Sequence, residues 1–167
     1  MRTKLNRILV LLFFCLTFAV QARQGNEISG TVSAIIDGNT IEFISVEKET
    51  YVLVLSGIDC PEIGQEFASE AKELLTKIVG GKEVFIVIEG KDRLGNKVGT
   101  LKFKGRDPRL DLLARGLAWT VEKDPNPSFE ELRKIAQESA KGLWKQENPT
   151  PPWTYRREQS MLTAKSN

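Results

Sequence analysis

The chain has 167 residues with 24 Lys+Arg against 22 Asp+Glu, the length and charge balance of one ordinary globular domain with short extensions. It has no histidine and two cysteines, Cys15 and Cys60. That composition excludes histidine-based acid–base catalysis, serine–histidine triads and histidine-ligated zinc, so any hydrolysis must run on carboxylates, a hard oxygen-bound cation, or both.

Arg2, Lys4 and Arg7 precede an almost wholly apolar run from Ile8 to Val20, and Val20-Gln21-Ala22 places small residues where a signal peptidase reads. Residues 1–22 read as a signal peptide cleaved after Ala22. As a membrane anchor the run falls short of the ~20 residues a spanning helix needs. Cys15 follows Phe13-Phe14 rather than small residues, which argues against lipidation. Export to a periplasm or out of the cell is expected, with no membrane attachment after cleavage. Three of the 24 basic residues lie in this segment, leaving 21 against 22 acids, so net charge does not mark a general nucleic-acid binder. Cys60 is then the single cysteine, and no internal disulfide is expected.

Residues 28–36 are rich in β-branched side chains and end at the turn Asp37-Gly38-Asn39. Thr40 to Val46 alternates, and 50–58 is apolar on both faces, so three strands form a meander. Residues 66–79 switch to a helical period through Phe67, Ala71, Leu74, Leu75 and Ile78, and Gly80-Gly81 stops it. Strands follow at 83–88 and 98–104, flanking the turn at 90–96. Asp107-Pro108 opens a short helix ended by Gly116. Ser128 and Glu131 suggest a capping box for a helix running to about Leu143. Beyond it the chain is Pro-rich and then polar, with Trp153 and Tyr155 as straps and a flexible tail over 157–167. Five strands with a helix after the third match an α+β fold, a five-stranded OB-type Greek-key β-barrel with three packed α-helices.

The order of local motifs is more specific than the elements. Asp37-Gly38-Asn39-Thr40, Asp59-Cys60-Pro61-Glu62, Asp92-Arg93-Leu94-Gly95-Asn96, Gly116-Leu117-Ala118 and Gly142-Leu143-Trp144 resemble, in order and spacing, the motifs of the staphylococcal nuclease-like (thermonuclease-like) family. The resemblance covers about residues 27–156, within a domain taken as 23–156. It implies Ca²⁺-dependent hydrolysis of nucleic-acid phosphodiesters, in which fixed cations meet the charge of a pentacoordinate phosphate and a carboxylate stands one water away.

Carried over position by position, the resemblance implies Glu62 as the water-activating base. It implies Asn39, Asp59 and the Cys60 backbone carbonyl as metal ligands, with Asp37 and Thr40 in support. Asn39 stands where the family has an aspartate, which keeps an oxygen but loses a charge and weakens the site. Asp37 and Asp59 have the alternative of serving only as turn and loop formers. The two phosphate-clamping arginines fall on Val54 and Asn96, and residues 49–71 contain no Arg and, apart from none but the carboxylates and neutral side chains before Lys72, no Lys. Lys97 and Arg93 are the nearest candidate nucleic-acid contacts, although Lys97 in a strand points away from Asn96. Losing one preorganised donor costs roughly 2.7–4 kcal/mol, so losing two costs about 5–8, or on the order of 10⁴–10⁶ in rate.

Three function classes follow: a binding module for nucleic acid or a protein, a divergent Ca²⁺-dependent endonuclease using Glu62, and a structural domain with an idle pocket. The replaced arginines favour the first. The basic run Lys102, Lys104, Arg106, Arg109 and Arg115 reads as a solvated strand face and surface helix. Trp119, Trp144 and Trp153 offer base-stacking surfaces, with core and strap roles as the plainer reading. Cys60, beside Asp59 and Glu62, should have a raised pKa and make a poor thiolate nucleophile.

Overall fold

The computed structural model describes residues 27–166; the expected signal peptide lies outside the described residues. Strands β1 (Glu27–Ile35), β2 (Thr40–Ser45) and β3 (Thr50–Leu55) form an antiparallel meander. After a two-residue strand, β4 (Ile58–Asp59), comes helix α1 (Ala68–Val79), then β5 (Glu83–Lys91) and β6 (Lys97–Lys102). The barrel closes in the order β1-β2-β3-β6-β5, with β5 returning to β1 antiparallel and β6 meeting β3 parallel. This is the expected OB-type barrel.

Alternation makes the core. In β2 every second residue is buried, so Ile41 and Phe43 join Val32, Leu53, Leu55, Val84, Ile86 and Leu101 inside. Helix α1 adds Ala71, Leu74, Leu75 and Val79 to the same cluster. The opposite pleat of β3 carries Val52 and Val54 outward, which later matters for the site.

Three helices follow the barrel. Helix α2 (Pro108–Ala114) begins as expected, with Asp107 Oδ1 accepting the Arg109 amide at 3.0 Å. A two-residue strand, β7 (Trp119–Thr120), pairs with β4 and sets Asp59 opposite Trp119. Helix α3 (Pro127–Glu138) differs from the sequence expectation at both ends. Its cap is Asn126, whose Oδ1 accepts the Ser128 amide at 2.9 Å, with Pro127 at the first helical position. It stops at Glu138 because Ala140 and Gly142 take positive φ (46° and 52°). A 3-10 turn (Gly142–Lys145) then carries Leu143 and Trp144 inward. The close crossing there requires glycine: at Gly116, φ +67°, a Cβ would stand 2.3 Å from the Lys141 carbonyl oxygen.

The chain ends in α4 (Pro152–Ser166), a fourth helix where a polar tail was expected. Pro152 suits a first turn, and no glycine or proline interrupts the residues that follow. Trp119 packs edge-on against Trp144 (centroids 4.5 Å apart) and Trp153 (5.7 Å), so the three indoles pack on each other. Among the described residues no helix is long and apolar enough to cross a membrane.

Candidate active site

A cleft of about 660 Å³ opens beside β3, lined by Asp37, Asn39, Thr40, Val54, Asp59, Asn96 and Arg156 among others. Most of the positions predicted from the motifs therefore meet in one place. Its wall is apolar where Ile36, Val52, Val54, Leu94 and Val121 contribute.

The turn before β2 builds the first side. Asp37 Oδ1 accepts the Asn39 amide at 2.9 Å, a local turn bond of the kind short polar side chains make. Asn39 is buried, and its Oδ1 accepts the Cys60 amide at 3.0 Å. Gly38 allows that approach, since a Cβ there would stand 2.6 Å from the Cys60 Cβ. Thr40 pairs with Val54 across the β2–β3 ladder. Asn39 thus ties one motif to the next.

Cys60 is buried and free. Burial foremost, then the nearby Asp37, Asp59 and Glu62 carboxylates, pushes its thiol pKa well up. The expected direction holds, but burial outranks the charges as its cause.

The clamp positions carry no cation. Val54 lines the cleft as an apolar side chain. Asn96 is turned into its own loop, its Nδ2 donating to Asp92 Oδ2 at 2.8 Å while its amide donates to Asp92 Oδ1 at 2.9 Å. Lys97 lies over the Tyr51 ring (5.5 Å) and does not line the cleft; Arg93 is exposed on the turn.

The cation that does reach the site comes from α4. Arg156 Nη2 donates to Asp59 Oδ2 at 2.8 Å, Nη1 donates to Asp59 Oδ1 at 3.1 Å, and Nη1 also donates to Glu62 Oε1. Hydrogen bonding to Asp59 leads the effects that raise the guanidinium pKa, with Glu62 adding to it. Motif spacing did not point to this residue, because 97 positions separate it from Asp59. The structure accounts for the meeting through the indoles. Trp119 is the ladder partner of Asp59, Trp153 packs on Trp119, and Arg156 lies one helical turn after Trp153. The loop bearing Glu62 is held from the same side: its amide donates to Gln65 Oε1 at 2.9 Å, and Gln65 Nε2 donates to the Thr150 carbonyl at 2.9 Å.

A calcium ion needs six to eight oxygen ligands. Here the Asn39 side-chain oxygen already accepts a buried amide, and both Asp59 oxygens face Arg156. Among the described residues no group of three or more His, Cys, Asp or Glu is arranged to hold a metal ion. With Arg156 docked, the donor set does not fit the cation that the family resemblance implies.

Arg109, read from sequence as a surface cation, is buried instead. It pairs with Asp107 (Nη2–Oδ2 2.6 Å), donates to the Ser56 carbonyl at 2.7 Å and lies over the Phe129 ring. Sequence gave no sign of this, because its partners come from three separate segments.

Residues 52–146 match the family described as Staphylococcal nuclease homologue. A probable staphylococcal-like nuclease of Oryza sativa subsp. japonica is 36% identical over 120 residues, covering 71% of this chain and 36% of that protein. The chain thus spans only about a third of that plant relative. A micrococcal nuclease of Shigella flexneri is 31% identical over 140 residues, 77% of this chain and 80% of its own. An uncharacterized endonuclease of Haemophilus influenzae is 27% identical over 162 residues, 96% and 91% of the two chains. With its barrel, its motif order and these likenesses together, the chain belongs to the staphylococcal nuclease homologue family.

Proposed function

We propose that this chain binds single-stranded nucleic acid in the cleft beside β3 and hydrolyses it slowly or not at all. The observation that carries the reading is the state of the two clamp positions: Val54 lines the cleft with an apolar side chain and Asn96 is bound to Asp92. Neither can meet the charge that builds on a phosphate during attack. What the cleft keeps suits an unstacked nucleotide: a volume of about 660 Å³, an apolar wall and a polar end. Export follows from the signal-like segment over 1–22, and a protein ligand is the other occupant of the binding-module class.

A second reading, an active divergent Ca²⁺-dependent endonuclease, is favoured by the juxtaposition of Asp59 and Glu62 on one guanidinium and by relatives that carry nuclease names. In it Glu62 deprotonates the attacking water, and a divalent cation first has to take Asp59 from Arg156. Incubating purified protein with single-stranded DNA and RNA, with Ca²⁺ and with chelator, beside Glu62→Gln, decides between the two. Slow or absent cleavage with retained binding is expected. Rapid Ca²⁺-dependent cleavage abolished in Glu62→Gln would establish the second reading.

A further inference from the structure

We propose that Arg156 is the phosphate ligand of this cleft, a built-in cation that takes a phosphodiester oxygen pair without a metal ion. The inference rests on the nucleic-acid-binding reading above and names the contact that reading lacks.

A guanidinium carries five N–H donors in a rigid plane. Three of them are committed here, one on each Asp59 oxygen and one on Glu62. These occupy the Nη1–Nη2 end and the far side of Nη1. The Nε–H and the second Nη2–H share the remaining edge, and among the described residues nothing accepts from either. That edge has the spacing for two oxygens of one phosphate.

The placement is equally specific. Arg156 lines the same cleft as Val54 and Asn96, so it supplies positive charge to the pocket in which both family positions lack it. Its side chain is half exposed, while Asp59 is 17% exposed and Glu62 33%. The carboxylates therefore form a backstop and leave the guanidinium open on its solvent side. A flexible arginine has to lose rotamer freedom when it binds; this one has lost it already, through Asp59, Glu62 and the helix that packs Trp153 on Trp119. Two carboxylates against one guanidinium keep the cluster's charge negative, so the expected affinity is modest and sensitive to salt.

The test is fluorescence anisotropy of a labelled single-stranded oligothymidylate, in chelator and at several salt concentrations, with the full chain. Wild type is expected to bind in chelator. Arg156→Gln should bind about 10–100-fold more weakly, the cost of one charge-assisted pair, with a salt slope smaller by about one. Arg156→Lys should recover only part of the loss, because lysine keeps the charge and lacks the fork. Arg157→Gln, its exposed neighbour, should change affinity less than twofold. Circular dichroism of each variant establishes that it is folded. Arg156→Gln binding as well as or better than wild type would overturn the proposal, the latter marking the guanidinium as a plug. Binding that vanishes in chelator would overturn its metal independence. A folded wild type with no affinity for DNA or RNA under any condition would remove the underlying reading itself.

Discussion

Arg156 and Asp59 meet end to end, Nη2 to Oδ2 at 2.8 Å and Nη1 to Oδ1 at 3.1 Å. The pairing puts an organic cation on the carboxylate that the family resemblance assigns to a metal. It also joins the last helix to the acidic loop, so any change at one is felt at the other.

Calcium should compete with Arg156 for Asp59. Titration calorimetry is expected to detect stronger Ca²⁺ uptake by Arg156→Gln than by wild type, and none by Asp59→Ala. The pair is half exposed, so the substitution should cost about 1 kcal/mol of stability or less. Identical Ca²⁺ heats in wild type and Arg156→Gln would show that no competition exists.

Restoring arginine at both clamp positions, Val54→Arg with Asn96→Arg, should raise DNA cleavage by on the order of 10²-fold or more over wild type. Val54 already faces the cleft, so its arginine needs no new backbone. Position 96 has to leave Asp92, and the turn there should loosen. A double variant as inert as wild type would mean that the acidic loop itself has lost the chemistry.

Asp92 has its carboxyl pKa lowered, first by the Asn96 side chain, then by the Leu94, Asn96 and Gly95 amides, against the opposing effect of burial. A depressed folded pKa means that the turn's stability is present above the ordinary aspartate value and is lost as pH falls through the folded one. Asn96→Ala should move the Asp92 titration, followed by NMR, upward toward 3.8. An unmoved titration would remove the side-chain hydrogen bond as its cause.

Arg109 is expected to be structural. Arg109→Ala leaves Asp107 and the Ser56 carbonyl without their partner, and urea unfolding should show a loss of about 3–5 kcal/mol. Oligonucleotide affinity per folded molecule should not change. A large affinity loss with normal stability would assign Arg109 to the binding surface.

The Cys60 thiol should resist a thiol reagent in the native state and react on unfolding, because it is buried and its pKa is raised. Since the folded thiol holds its proton longer, its contribution to stability is present below the unfolded thiol's pKa and falls as pH rises beyond it. Cys60→Ser should flatten that alkaline loss in a pH series of unfolding midpoints. Rapid native-state labelling would show that the pocket floor opens.

Much of the barrel was legible in the sequence because its determinants are local. Alternation in β2, the apolar period of α1, Asp107-Pro108 and Gly116 each act within a few residues, and the motif order carried the family. The α3 cap was also written locally, as Asn126-Pro127, but the Ser128–Glu131 pattern competed with it. The candidate site was legible only along the two motif segments. Asp37, Asn39 and Asp59 meet as their motifs imply, with Val54 and Asn96 beside them. What tertiary structure alone decided is the cation. Arg156 reaches Asp59 because an indole ladder from Asp59's strand partner to Trp153 sets the position of α4, and Arg109 turns inward because Ser56 and Phe129 surround it. An arginine's role depends on which acids and rings lie within about 3 to 6 Å of it in space, and neither distance is a function of spacing along the chain.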